Sequence, residues 1–127
     1  MTAFDGWLAA LGSYRRDINH GRETPFIHTL TFAARDLTGA AFVGEIKASP
    51  GQASAALAAM SFGSITYSTN SSVTATITQA NINGLPEMTD KSEPIELVYD
   101  IYVTPSGGER ELVMGGIFKV NAGVTQA

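Results

Sequence analysis

Glu96 to Val120 reads as one β-hairpin, two arms of alternating character joined by the turn Pro105-Ser106-Gly107-Gly108, and no other stretch restricts the fold as much. In the first arm Leu97, Tyr99, Ile101 and Val103 share one face, while Glu96, Asp100 and Thr104 take the other. Val98 and Tyr102 interrupt the polar face, which predicts that it is partly covered. The return arm alternates from Glu111 to Met114, breaks at Gly115-Gly116 and resumes as Ile117-Phe118-Lys119-Val120. A double glycine inside a strand pattern marks a bulge or a close backbone approach, and it predicts a bend. An isolated ribbon is marginal in water, so the apolar face requires a second layer. The remainder of the chain has to supply it, and the expected fold class is all-β, an Ig-like two-sheet antiparallel β-sandwich of about seven strands with a short N-terminal helix or arm.

The material for that layer lies upstream. Thr24-Pro25 opens a strand with Phe26, His28, Leu30 and Phe32 on one face, and proline suits a first strand position where no ladder donor is needed. Asp36-Leu37-Thr38-Gly39 is a turn by composition, and a strand follows over Ala40 to Lys47. Phe62 to Ser68 and Ser72 to Gln79 read as two more strands around the turn Asn70-Ser71. Ala53 to Met60 is open to both readings, since alanine favours helix and tertiary context overrides propensity in so short a piece. With 127 residues the chain is long enough to bury one core without disulfides, and it contains no cysteine.

Charge is unevenly spread. From Ala48 to Pro86 there is no charged residue, yet the run is too rich in Ser, Thr, Asn, Gly and Pro to cross a bilayer, which takes roughly 20 mostly apolar residues. No membrane partner is expected. Strands that show only Ser and Thr outward either sit centrally or pair with something, because natural sheets protect open edges with charge. A net charge of −4 with only 8 Lys and Arg gives no basic footprint, so no nucleic-acid partner is expected either.

At the N-terminus Phe4, Trp7, Leu8 and Leu11 recur at helical spacing, and Gly12 offers a stop. Two readings stand: a helix packed on its own domain, or an arm that docks on a partner subunit, with the tryptophan as anchor. Asp5 in the apolar stretch and the lack of a positive leader argue against a secretory signal. Ser13 to Glu23 is polar and reads as a connection, which divides the chain into an arm over 1–23 and a sandwich domain over 24–127.

Chemistry-bearing residues are sparse. His20 falls in the polar connection and His28 on the face that bears Phe26 and Leu30, where a partly buried, satisfied imidazole is the favoured reading. The acidic group Glu87, Asp90, Glu93 and Glu96 lacks the alternation and glycine of a calcium loop and reads as a solvated connection. No nucleophile elbow, phosphate-cradling loop or zinc-binding helix motif occurs. Asn70-Ser71-Ser72 forms a glycosylation sequon that has no meaning without secretion. No catalytic, metal or cofactor residues are assigned, and the chain is expected not to be an enzyme. A carbohydrate-binding sandwich would present flat exposed aromatics; Tyr102 is the better surface candidate, and Tyr99 belongs to the apolar face.

The order of several motifs resembles a known family. Asp36-Leu37-Thr38-Gly39, the aromatic Phe42 and Glu45-Ile46-Lys47 are similar to the opening of small β-sandwich domains in tailed-phage virions, found at the N-termini of upper-baseplate and tail-fibre-anchoring proteins. Ser72 to Gln79 with Ile82-Asn83-Gly84-Leu85-Pro86, then Val98-Tyr99-Asp100-Ile101, then Glu111 to Val120 with Val124-Thr125, resemble their later strands in the same order. The resemblance spans Thr24 to Thr125. It implies a structural subunit of a bacteriophage or prophage-derived virion, a tail or baseplate connector or fibre-anchoring protein, made in the host cytoplasm and carried in the particle. Its implied partners are other virion structural proteins and copies of itself, with Phe4, Trp7, Leu8, Leu11 and Tyr102 as candidate contact residues. A head or neck decoration protein and a carbohydrate-binding sandwich are the alternatives.

Overall fold

The computed structural model describes residues 5–50, 55–90 and 92–122. In chain order its elements are helix α1 (Asp5–Leu11), a 3-10 turn (Gly12–Tyr14), and strands β1 (Ile18–Gly21), β2 (Phe26–Phe32), β3 (Ala41–Lys47), β4 (Ala56–Ala59), β5 (Ser61–Phe62), β6 (Thr66–Tyr67) and β7 (Ser71–Ile77). Helix α2 (Gln79–Asn83) and the long strands β8 (Ile95–Thr104) and β9 (Glu111–Asn121) complete it. The larger sheet runs β1-β9-β8-β3-β4; the smaller runs β2-β7-β5, with β6 also along β7. This is the expected all-β sandwich. Its pairings are antiparallel except one, since β1 lies parallel to β9.

The hairpin supplies the centre of the larger sheet. Leu97, Tyr99, Ile101 and Val103 are all buried, as the alternation requires, and Phe118 and Val120 join them from β9. Opposite them the smaller sheet buries Phe26 and Leu30 from β2 and Val73, Ala75 and Ile77 from β7. Aromatic rings pack through the core: Phe26 meets Phe118 edge-on at 5.5 Å across the layers, Phe118 meets Tyr99 within the larger sheet at 6.1 Å, and Phe42 sits between Phe32 and Phe62 of the facing sheet at 5.8 and 5.4 Å. Such pairs prefer these offset and edge geometries and add to the area they bury.

The double glycine acts as a close approach, and the bulge lies elsewhere. Register slips between Ile101↔Met114 and Tyr102↔Leu112, so Val113 is the extra residue, while Gly115 and Gly116 stay in register with Asp100 and Tyr99. A Cβ on Gly116 would lie 2.6 Å from Asp17 Oδ1 and 2.7 Å from the Arg16 carbonyl oxygen, distances that backbone cannot accept without moving. On the other side a Cβ on Gly115 would stand 3.0 Å from the Tyr99 carbonyl oxygen and 3.4 Å from Leu11 Cδ2. The two glycines therefore open a seat for the chain's own N-terminal segment, one on each face of β9.

Polar composition hid β1. Ser13 to Glu23 was expected to be a connection, yet Ile18 to Gly21 pairs with Phe118 to Asn121, and Arg16 N–H donates to the Gly115 carbonyl at 2.8 Å. Asp17 holds this strand in place: it accepts from Ile117 N–H at 3.0 Å and from the Arg15 guanidinium at 2.9 and 3.1 Å. In the ambiguous stretch β4 is a strand, because pairing of Ala56, Ala58 and Ala59 with Lys47, Ile46 and Glu45 overrides alanine's helical preference. Residues 53 and 54 of that region lie outside the described ones. The single strand expected from Phe62 to Ser68 is instead two short ones, β5 and β6, separated by Gly63, Ser64 and Ile65.

The end of the sandwich is closed by α2, which the alternation of β7 did not announce. Thr78 caps it by accepting from Asn81 N–H at 3.2 Å, and Ile82 and Leu85 plug the core beneath. At its other end Arg22 forks onto four carbonyls, those of Ile82, Asn83, Leu85 and Pro86, at 2.9–3.2 Å. Asn83 completes the clasp by accepting from Glu23 N–H at 3.0 Å. A guanidinium is suited to this, since it presents several donors in one plane to the carbonyls that a helix C-terminus leaves unpaired.

Candidate functional site

Three surfaces deserve comparison, and the first is the outer face of the larger sheet. Here α1 lies on β9: Leu8 and Leu11 are buried, and so is Val98 on the hairpin's polar face. This is the helix packed on its own domain, and it removes Leu8 and Leu11 from the free surface. Trp7 is half-buried in a crevice with Glu45, Lys47, Pro50, Val98 and Asp100. Phe4 lies outside the described residues.

Beside the helix stands the polar group of this face. Asp100 pairs across the strands with Glu45, and burial raises its pKa, with Lys47 and Arg110 opposing and Glu45 adding to the rise. Tyr102 pairs with exposed Val43, and Arg110 lies over its ring at 3.9 Å to the centroid. The ring therefore already takes a cation on one side. Burial raises the Tyr102 pKa, and Asp100 pushes it in the same direction. Tyr99 goes inward as expected, and its hydroxyl donates to the Arg16 carbonyl, another tie to the N-terminal segment. Burial, with the Asp17 charge adding to it, holds this phenol well above its ordinary range.

The second surface is a cleft of about 540 Å³ where the two sheets part, lined by Ser13, Tyr14, Arg16, His28, Leu30 and Phe32 with Val113 and Met114 at the bulge. His28 was read as partly buried, but it is exposed at this mouth, stacked on Phe26 at 6.1 Å. The satisfied histidine is His20: its Nε2 lies 3.0 Å from the Thr24 carbonyl oxygen, and its ring packs on Phe26 and Phe118. The Thr24 hydroxyl lies 3.2 Å from His20 Nε2 and donates to the Gly21 carbonyl at 3.1 Å, which ties the ring to the turn after β1. Tyr14 and Arg16 were missed as lining residues. The available signal was an exposed tyrosine in an otherwise polar segment.

The third is the outer face of the smaller sheet, built by paired rows: Ile27 with Thr76 and Ser61, Thr29 with Thr74, Thr31 with Ser72 and Thr66. Thr29 and Thr74 hydroxyls lie 3.2 Å apart. No helix covers these rows among the described residues, and no charged side chain stands in them. The acidic connection, by contrast, is exposed, with Asp90 turned onto Ser92 N–H and Oγ at 3.0 and 2.6 Å. Among the described residues no group of three or more His, Asp or Glu is placed to hold a metal ion.

The motif Asp36-Leu37-Thr38-Gly39 forms a self-bonded turn. Asp36 accepts from Thr38 N–H at 2.9 Å and from its hydroxyl at 2.6 Å, and Gly39 has a φ of 82°. Leu37 drops into the sandwich end, tied by its N–H to Ser71 Oγ at 2.8 Å, which in turn donates to the Arg35 carbonyl at 2.7 Å. Every polar atom of this buried serine is accounted for.

No protein-family model matches the chain, and no curated protein matches it in sequence. One solved structure it resembles is the 2,6-sialyltransferase of Photobacterium sp. JT-ISH-224, in complex with CMP and lactose, at 14% identity and a TM-score of 0.30. That likeness covers 87% of this chain and 18% of the transferase, which is too partial to transfer fold or activity.

Proposed function

We propose that this chain is a non-enzymatic structural subunit of a bacteriophage or prophage-derived virion, serving as a tail or baseplate connector or fibre anchor. The observation that carries the reading is the order of the phage-like motifs along a two-sheet sandwich: the Asp36 turn seats Leu37 at the sandwich end, and the later motifs fall on β7, on α2 and the segment after it, and on β8 and β9, with Val124-Thr125 outside the described residues. A bare, uncharged sheet face and a hydroxyl-lined surface suit contact with other subunits better than chemistry.

The test is physical location. Particles are induced from cells that carry the gene, banded on a density gradient and probed for this chain by mass spectrometry and by antibody-gold labelling. The chain is expected to co-sediment with intact particles and to label the tail end. Recovery only as free protein at the top of the gradient would refute the reading, and label on heads or necks would replace the tail assignment by a decoration role.

A further inference from the structure

We propose that two copies of this chain pair through β2, edge to edge and antiparallel, about a two-fold axis at Thr29. Among the described residues β2 is the one long edge that lacks protection. It has seven residues, an unbroken register with β7 on one side, and no strand on the other among the described residues. It contains no Asp, Glu, Lys or Arg, and no proline after Pro25. The other edges are blunted: β1 and β4 have four residues each, β4 pairs through a register shift, and β5 and β6 have two each. An exposed row of backbone donors and acceptors invites another strand unless charge, a bulge or shortness prevents it.

The edge also fits itself. Phe26-Ile27-His28-Thr29-Leu30-Thr31-Phe32 is close to a palindrome about Thr29. Under the two-fold, Phe26 meets Phe32 of the second copy, Ile27 meets Thr31, His28 meets Leu30, and Thr29 meets its own counterpart. Each contact occurs twice except that of Thr29, which lies on the axis, as an isologous interface requires. Ile27 is 64% exposed in the single chain, and the pairing lays it against the Thr31 methyl. The outer rows become continuous, because Thr29 already contacts Thr74 on the next strand. A neutral strand brings no like charge to its copy, although the whole chain is acidic. The cleft beside the edge, with Leu30, Phe32 and Met114 on its walls, gives the incoming inward-facing side chains a place to go. The proposal stands apart from the virion assignment, since it concerns the free chain in solution.

The chain has no cysteine, so register is read by cross-linking the full-length protein. Thr29→Cys should oxidise to a covalent dimer as the main product. Thr31→Cys should not, because its counterpart lies four register positions away, and the double variant Ile27→Cys/Thr31→Cys should restore the dimer. Sedimentation of the unaltered chain should show a concentration-dependent dimer that Ile27→Lys abolishes with the melting transition retained, as expected for an exposed site. A chain that stays monomeric at its solubility limit, or a dimer that survives Ile27→Lys and gives no Thr29→Cys product, overturns the proposal. So does a β2 edge whose amides are protected from exchange only when other particle proteins are added, which would assign the edge to a different strand.

Discussion

The two sheets solve the same problem in opposite ways. The larger one is covered twice, by the smaller sheet within and by α1 without, and it carries charged side chains such as Glu45, Asp100 and Lys119 on its outer side. Among the described residues the smaller one is covered once, its outer rows are Ser and Thr with Ile27, and one of its edges is long and open. The uncharged run of the sequence contains β4 to β7, three of which belong to the smaller sheet. The larger sheet therefore holds more of the buried core, and the smaller sheet leaves an uncharged outer face beside the edge proposed for self-pairing.

Substitutions break or sharpen that contrast. The largest effect should come from Ile101→Ala, a fully buried residue of the larger sheet, at about 2–5 kcal/mol in denaturant unfolding through lost transfer and cavity formation. Thr74→Ala on the bare face should stay within about 0.5 kcal/mol. If the two were similar, the division of labour would be wrong. Next comes the N-terminal seat. Gly116→Ala should cost about 1–3 kcal/mol by overpacking against Arg16 and Asp17, and removal of residues 1–12 should lower the melting temperature, because Leu8 and Leu11 cover the larger sheet. An unchanged melt after that deletion would mean that α1 contributes nothing to the sheet it lies on.

Arg22→Lys should cost about 1–3 kcal/mol, since an ammonium keeps the charge and cannot fork onto four carbonyls; amide exchange should quicken at Ile82 and Leu85 before the hairpin is affected. Loss of protection throughout the larger sheet at the same time would show that the two ends are coupled.

The smallest effects are in acid, and their signs differ. The Arg15 hydrogen bond, helped by the Ile117 N–H, holds the Asp17 carboxyl below its ordinary value against the opposing pull of burial. Its stabilisation is present above the unfolded value and is lost as pH falls through the lowered folded one, so Asp17→Asn should weaken the fold near neutrality and flatten the acid limb of the stability curve. Asp100 is raised by burial, and the folded chain binds its proton more tightly, so stability falls as pH rises through that window. Asp100→Asn should therefore raise the melting temperature slightly at neutral pH and leave it unchanged in strong acid. A loss at neutral pH would mean that the carboxylate has a partner whose attraction exceeds the burial cost.

The hairpin was legible because its two faces differ in chemistry at every second residue, and Leu97, Tyr99, Ile101 and Val103 are buried as read. β1 was not, because an edge strand with one half-buried isoleucine and Asn19 and His20 beside it carries no alternation strong enough to stand out from a loop. α2 was missed for a related reason: five residues are too few for a helical period, and its signals are a cap at Thr78 and an arginine 56 positions before that cap. Glycines 115 and 116 were read correctly as a close approach or a bulge, but sequence does not say which backbone approaches. The cleft was not legible at all. It is made by the parting of sheets near Val113, a consequence of register.

Parallel pairing of β1 with β9 also bears on mechanics. From Arg16 to Arg22 the first strand is bonded along the last one, with Arg16 N–H on Gly115, four register pairs from Ile18↔Phe118 to Gly21↔Asn121, and Arg22 N–H on Asn121. A pull that enters ahead of Arg16 and leaves after Asn121 runs in opposite directions along two parallel strands, so these bonds are stretched together in shear and not peeled one at a time. Rupture under such tension is governed by the rate of crossing the unfolding barrier, to which all of those bonds contribute at once. Tension applied through the start of β8 at Ile95 and the end of β9, which lie side by side at the open end of the hairpin, would instead part the two strands like a zip, so the same sandwich is stiff along one axis and compliant along another.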